Sequence, residues 1–312
     1  MNETRPPLFL LVGPTGVGKT ECSIRLAKRL NAEIISCDSM QIYRRMNIGT
    51  AKITKEEMQD VVHHMIDIIE PWESYSVCDF TSDAALVYRD ILSRGKNALM
   101  VGGTGLYADS FANGTEFSQT DNNQQIRNEL QKYYEQNGAE ALHEELLKID
   151  PESAGAIHPN NVKRVIRAIE YYRLNGEKIS EHNLKDKQKS SPYRVCTIGL
   201  TRDRDELYER INKRVDIMME SGLLEEVMSL YREGIDFRHN SMQALGYKEF
   251  LHYIKGRCTL DEAVRILKRD SRRYAKRQLT WFGRNKDIKW INLTHEKGDV
   301  SEICMSYCEE FL

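Results

Sequence analysis

The 312-residue chain lacks the features that would assign it to several large classes. Its seven cysteines, Cys22, Cys37, Cys78, Cys196, Cys258, Cys304 and Cys308, show no paired C-x-x-C spacing. A reduced, cytoplasmic protein is therefore expected. Cys304 and Cys308, with His295 upstream, lack a fourth ligand nearby and read as helix-spaced filler rather than a metal site. No apolar run is long enough to cross a bilayer and no signal-peptide pattern occurs, so no membrane partner is expected. Fixed-period repeats and extended low-complexity tracts are also missing. The net charge is only −2, so a nucleic-acid partner would have to meet a local basic face. With 40% hydrophobic and 29% charged residues, the chain fits a soluble globular protein of about two domains.

What the chain does have begins at its N-terminus. The apolar run Leu8-Phe9-Leu10-Leu11-Val12 leads directly into Gly13-Pro14-Thr15-Gly16-Val17-Gly18-Lys19-Thr20. This is the G-x-x-x-x-G-K-T phosphate loop, with a strand before it and a helix after it. Glycines let the backbone approach an anion, and the N–H groups and dipole of the following helix favour negative charge. Lys19 would reach the outer phosphate, and Thr20 would offer its hydroxyl to Mg²⁺. The loop implies a diphosphate or triphosphate without saying which.

The first hundred residues alternate strand and helix. Strands are expected at 8–12, 33–36, 63–68 and 97–101, with helices over 19–30 and from Ser76 to Arg94. Such alternation implies a parallel sheet whose ligand crevice lies at the strands' carboxyl ends. Lys19, Asp38 and Thr104 each follow such an end and so can converge. From about Gly114 the chain turns polar, with Gln119–Gln125 as the clearest break, and then helix-rich. Asn161 is placed to cap a helix. Tyr193–Leu200 returns to strand character, and beyond Asp205 the pattern is mostly helical. The reading is an α/β fold: a P-loop NTPase-like parallel-sheet core from 1–114 and 192–312, with a helical C-terminal region and a helical insertion over 115–191.

Asp38 is one acid at a strand end, either a general base for an acceptor nucleophile or a cap or a carboxylate beside Mg²⁺. Gly102-Gly103-Thr104-Gly105 is a weak signal alone, but after a strand neighbouring the P-loop it makes Thr104 a donor candidate for a leaving-group oxygen. Arg265–Lys286 holds nine basic residues, including Arg273, Lys276, Arg277 and Arg284, against the single acid Asp270. Tyr274, Trp281 and Phe282 add stacking surfaces among them. Positive charge with flat rings suits RNA with unstacked bases. Lys163, Arg164 and Arg167 form a smaller patch, equally readable as solubility charge. Arg214 is suited to phosphate oxygens and equally to an exposed helix face. Of His63 and His64, one is expected to be a structural hydrogen-bonder.

Taken together, these segments resemble the bacterial tRNA dimethylallyltransferases, also called tRNA isopentenyltransferases. The resemblance is carried in order by Gly13–Thr20, by Asp38-Ser39-Met40-Gln41-Ile42-Tyr43 with Gly49-Thr50-Ala51-Lys52, by His63-His64 with Asp67, and by Gly102–Tyr107. It continues through Gln243-Ala244-Leu245-Gly246-Tyr247-Lys248 and Tyr274-Ala275-Lys276-Arg277-Gln278-Leu279-Thr280-Trp281-Phe282. The ordered set spans nearly the whole chain. The resemblance implies a P-loop that holds dimethylallyl diphosphate with Mg²⁺ rather than ATP, and transfer of the prenyl group to N6 of the adenine 3′ of the tRNA anticodon. It implies that Asp38 accepts the N6 proton and Thr104 contacts the bridging oxygen, with Lys19, Thr20 and Arg214 on the diphosphate. Gln41 and the Asp38–Ser39 backbone would read the adenine, with Met40 beside them among the tRNA-binding residues. Arg127 and the segment Lys163-Arg164-Val165-Ile166-Arg167 would serve the anticodon stem, and Arg273, Lys276, Arg277, Gln278 and Trp281 the RNA channel. Eukaryotic relatives often carry a C-terminal zinc finger, whose Cys/His spacing does not occur here. A monomer is the default expectation.

Three rivals share parts of this pattern. A P-loop small-molecule kinase would need a lid of phosphate-facing arginines. An adenylate isopentenyltransferase would use the same donor on a free nucleotide. A nucleotide-gated RNA-binding protein would modify nothing.

Overall fold

The computed structural model describes residues 5–115 and 124–312. The polar stretch read over 119–125 lies, up to residue 123, outside them. The chain divides into two compact units, 1–112 with 191–312, and 113–190.

The first unit is built on a six-stranded, all-parallel sheet. β1 (Pro7–Val12), β2 (Ala32–Cys37), β3 (His63–His64), β4 (Asn97–Gly102), β5 (Arg194–Thr201) and β6 (Lys289–Asn292) lie in the order β3-β2-β4-β1-β5-β6. A parallel sheet buries both faces, and the apolar run of β1 supplies both. Phe9 and Leu11 face the helix Lys19–Arg29 through Ile24, Leu26 and Ala27. Leu8, Leu10 and Val12 face the opposite layer, which contains Phe80, Ala84, Tyr88, Tyr107 and Phe111. This period-2 split places β1 in the middle of the sheet, so the loop that follows it opens onto the crevice. A separate helical core follows the sheet. Val215, Leu223, Val227, Tyr247, Phe250 and Leu267 pack there around Ile42, Tyr43 and Met46, which lie just beyond β2.

Two local expectations need correction. The strand expected over 63–68 is only His63–His64, because Met65 (φ 63°) and Asp67 (φ 54°) adopt left-handed backbone that ends the pairing with β2. Edge strand β6, in a region read as helical, pairs Lys289–Asn292 with Ile198–Thr201. Its four residues are too few to show a strand period. The helix Val77–Ser93 begins as expected, with Ser76 and Asp79 forming a reciprocal capping box. His64 is indeed a structural group: its Nε2 lies 2.7 Å from buried Glu33, which also accepts from Arg94 and Lys96. Those donors hold the Glu33 carboxyl far below its usual range, with Arg94 the chief cause.

The second unit holds the helices Gln124–Ile149, Pro151–Ala156, Val162–Asn175 and Ile179–Gln188 around its own core of Leu130, Leu142, Leu146, Val165 and Ile169. Asn161 occupies the N-cap position of Val162–Asn175 but makes no side-chain cap bond. Among the described residues, no helix is long and apolar enough to cross a membrane.

Candidate active site

The carboxyl ends of β1, β2 and β4 surround a cavity of about 1400 Å³. Its lining includes Thr15–Glu21, Asp38–Gln41, Asn47–Thr54, Gly102, Gly103 and the Gln243–Gly246 segment, with Arg214, Tyr274, Arg277 and Gln278. One continuous space therefore joins the phosphate loop to the arginine-bearing helix Leu260–Phe282.

The phosphate loop is anchored from several directions. Gly13 has φ 152°, and a Cβ there would lie 2.6 Å from Leu200 O on β5, so only glycine lets the loop leave the sheet. Lys19 Nζ donates to Gly13 O and Pro14 O, each at 2.8 Å. Arg214 Nη1 donates to Thr15 Oγ1 at 3.2 Å, Arg210 Nε to Gly16 O at 3.0 Å and Arg202 Nε to Val17 O at 2.9 Å. Three guanidinium groups thus clasp three successive loop residues. Arg214 is not a solvent-facing helix residue. Sequence reading missed Arg202 and Arg210, although Arg210 and Arg214 stand at i and i+4 on the helix Arg204–Glu220 and so share a face.

Burial and the neighbouring Arg214 guanidinium push the Lys19 ammonium down to about 7, against a smaller opposing effect from Asp38. Burial also lowers Arg214, again opposed by Asp38. Two desolvated cations therefore share one pocket, an arrangement whose electrostatic cost an entering polyanion relieves.

On the other wall, Asp38 Oδ1 accepts from Met40 N at 2.9 Å and Gln41 N at 3.3 Å, which closes a turn rather than capping a helix, since none follows β2 there. Thr104 Oγ1 accepts from Ser39 N at 3.1 Å, which ties the turn after β4 to the turn after β2. Burial, and then the Asp38 charge, pushes the Tyr274 phenol up. Gln278 is buried: its Oε1 accepts from Thr15 N and its Nε2 donates to Gly103 O, both at 2.9 Å. It bridges the two glycine loops instead of standing on the open face of its helix.

The remaining candidates fall on different surfaces. Arg273, Lys276 and Arg277 are exposed on the helix Leu260–Phe282, and Arg277 lies over the Tyr274 ring. Trp281 is half-buried against Gly105, and its Nε1 donates to Asp109 Oδ2 at 2.7 Å. In the second unit, Lys163 and Arg164 are exposed, whereas Val165 and Ile166 are buried in that unit's core. Their side chains therefore face inward while the basic neighbours face solvent. Arg127 Nη2 is paired with the buried Glu170 at 2.8 Å. Thr20 is exposed at the first turn of its helix. Among the described residues, no group of three or more His, Cys, Asp or Glu is arranged to hold a metal.

The IPP transferase family model matches residues 41–286, and an isopentenyl transferase model matches residues 6–68. The tRNA dimethylallyltransferase of Bacillus subtilis is 51% identical over 294 residues, covering 94% of this chain and 93% of its own. That of Alkaliphilus metalliredigens is 52% identical over 289 residues, covering 93% and 92%. The crystal structure of the tRNA isopentenylpyrophosphate transferase from Bacillus halodurans is 47% identical, covers 98% of each chain and superposes with a TM-score of 0.74. A eukaryotic dimethylallyltransferase acting on tRNA is 27% identical, with a TM-score of 0.85 over 99% of this chain and 79% of its own. The chain thus belongs to the IPP transferase family, the tRNA dimethylallyltransferases, and its P-loop core is that of a tRNA-modifying prenyltransferase.

Proposed function

We propose that this enzyme moves a dimethylallyl group from dimethylallyl diphosphate to N6 of the adenine that follows the tRNA anticodon, releasing diphosphate. The observation that carries this reading is the single cavity lined by the phosphate loop, Asp38 and Arg277. A kinase site would need a lid of arginines over a γ-phosphate. Here Arg202, Arg210 and Arg214 instead grip the loop itself, which supports a cradle for a departing group.

In this reaction the bond between the prenyl C1 and the diphosphate oxygen breaks, and N6 attacks that carbon. Positive charge developing on the allylic fragment leaves excess negative charge on the diphosphate. Fixed cations placed where that charge develops stabilise it. Lys19 and Arg214 supply those cations, and the phosphate-loop amides add dipoles aimed at the same group. Thr104, held against Ser39, is the donor toward the bridging oxygen. Asp38 takes the proton that N6 loses. The adenine must leave the anticodon-loop stack to enter the cavity, where Gln41 and the Asp38–Ser39 backbone line its path.

Thr20 would hold Mg²⁺. One hydroxyl beside a cationic cradle, without a carboxylate cluster, fits an ion that arrives with the diphosphate and keeps most of its waters. When bound, the ion supplies further neutralisation of the leaving group.

The direct test is incubation of the protein with dimethylallyl diphosphate and an anticodon stem-loop RNA, followed by mass spectrometry of the released nucleosides. Prenylated adenosine and free diphosphate are expected. Phosphorylated product from ATP with no prenylated base would sink the reading.

The exposed Arg273 and Arg277 belong to the RNA surface, and Lys163, Arg164 and Arg127 of the second unit to the anticodon stem. Arg273→Ala is expected to weaken RNA binding and to reduce the slope of log affinity against log salt by about one. Pyrophosphate binding should stay unchanged. A salt slope equal to wild type would remove this helix from the RNA surface.

A further inference from the structure

The loop 47–54 lines the active cavity, yet it has no regular secondary structure to hold it. A partly buried network holds it instead. Glu226, on the helix Leu223–Arg232, accepts three successive backbone N–H groups with its carboxylate: Asn47 at 2.8 Å, Ile48 at 2.9 Å and Gly49 at 3.1 Å. The Tyr247 hydroxyl donates to the same carboxylate at 2.5 Å. Tyr247 is fully buried, and a Cβ on Gly49 would lie 2.5 Å from its ring, so loop and ring are fitted to each other. Gly246 abuts Gly49 from the same side, and its N–H is held by the buried Glu249.

Further along the loop, the carbonyls of Thr50 and Ala51 each accept from Gln41 Nε2 at 3.2 Å. The Gln41 N–H in turn donates to Asp38 Oδ1. An unbroken chain of hydrogen bonds and peptide units therefore runs from Tyr247 and Glu226, through the loop and Gln41, to Asp38.

We propose that Glu226 and Tyr247 are positioning residues for the transfer step, acting through the 47–51 loop and Gln41 to fix the Asp38 turn against the acceptor base. The proposal rests on the function proposed above. Glu226 and Tyr247 bond to the 47–49 backbone and to each other, not to the phosphate loop, so donor binding should not depend on them. Proton abstraction depends on placement within a fraction of an ångström, and small displacements of a positioned group cost up to about 10²-fold in rate.

The experiment uses the full-length enzyme with dimethylallyl diphosphate and anticodon stem-loop RNA. Tyr247→Phe removes only the hydroxyl, and Glu226→Gln keeps the shape but weakens the acceptor. Each is expected to lower kcat by about tenfold, with the pyrophosphate Kd within twofold of wild type and a native-like cooperative melt. The double variant should be little worse than either single one, because the two residues act as one unit. Glu225→Gln, an exposed neighbour on the same helix, should leave kcat unchanged. Turnover within twofold of wild type in both single variants would overturn the proposal. So would parallel loss of pyrophosphate affinity and turnover, which would mark a merely structural role. Failure of the wild-type enzyme to prenylate RNA would instead overturn the function on which the proposal rests.

Discussion

Asp38→Ala is expected to lower prenyl transfer by roughly 10²-fold or more, the scale of losing a general base, while RNA binding stays near wild type. The geometry makes a second variant necessary. Asp38 Oδ1 also accepts from Met40 N and Gln41 N, so alanine removes both a base and a turn. Asp38→Asn keeps an acceptor oxygen for that turn but offers no carboxylate to take a proton. If Asp38 serves as the base, asparagine should be as inactive as alanine in single-turnover assays at saturating RNA. Recovery of turnover by asparagine would reduce Asp38 to a backbone cap.

Lys19→Met should cost about 10²–10³-fold in turnover, the scale of removing one preorganised stabiliser of developing negative charge. The same substitution has a stability consequence of opposite sign. In the folded protein, burial and Arg214 push the Lys19 ammonium down to about 7, whereas in an unfolded chain it titrates near its ordinary value of about 10.4. Between those values the unfolded chain binds more protons, so wild-type stability rises with pH across that window. Below it the lysine is charged in both states and the burial penalty is fully present. Lys19→Met removes the penalty, so its gain in Tm over wild type should be larger at pH 6 than at pH 9.5. An equal difference at both pH values would contradict the depressed ammonium. Wild-type pyrophosphate binding should also weaken as pH rises above about 7, because the anion must then recruit a proton onto Lys19. Calorimetry at pH 8 in buffers of different ionisation enthalpy measures that proton uptake directly. The active site thus holds an unfavourable charge that the substrate compensates, a common relation between function and stability.

Much of the site was legible in the residues because its signals are local. A phosphate loop needs its glycines and lysine at fixed spacing, and Gly13–Lys19 supplies them within seven positions. The β1 run and the helix after it follow from apolar periodicity, and the capping box at Ser76 marks its helix start by itself. The ordered segments from Asp38 to Phe282 identified the family before any fold was known.

Other features have no local signal, because they depend on which distant segments meet. Gln278 looks like one polar residue among the charges of an amphipathic helix. Only the meeting of that helix with the turns after β1 and β4 makes it a bridge between Thr15 and Gly103, more than 170 residues away. Val165 and Ile166 sit among basic residues in sequence, but the 3.6-residue helical period turns them inward. Glu226 resembles its exposed neighbour Glu225 until the fold presents three amides and a phenol to it. Short-range pattern thus determined the central strands β1, β2, β4 and β5, the phosphate loop and the chemistry they imply, but neither edge strand. Tertiary structure decided which side chains face the cavity and which residues hold the loop around Asp38, since burial and long-range hydrogen bonding are properties of the packed chain and not of spacing.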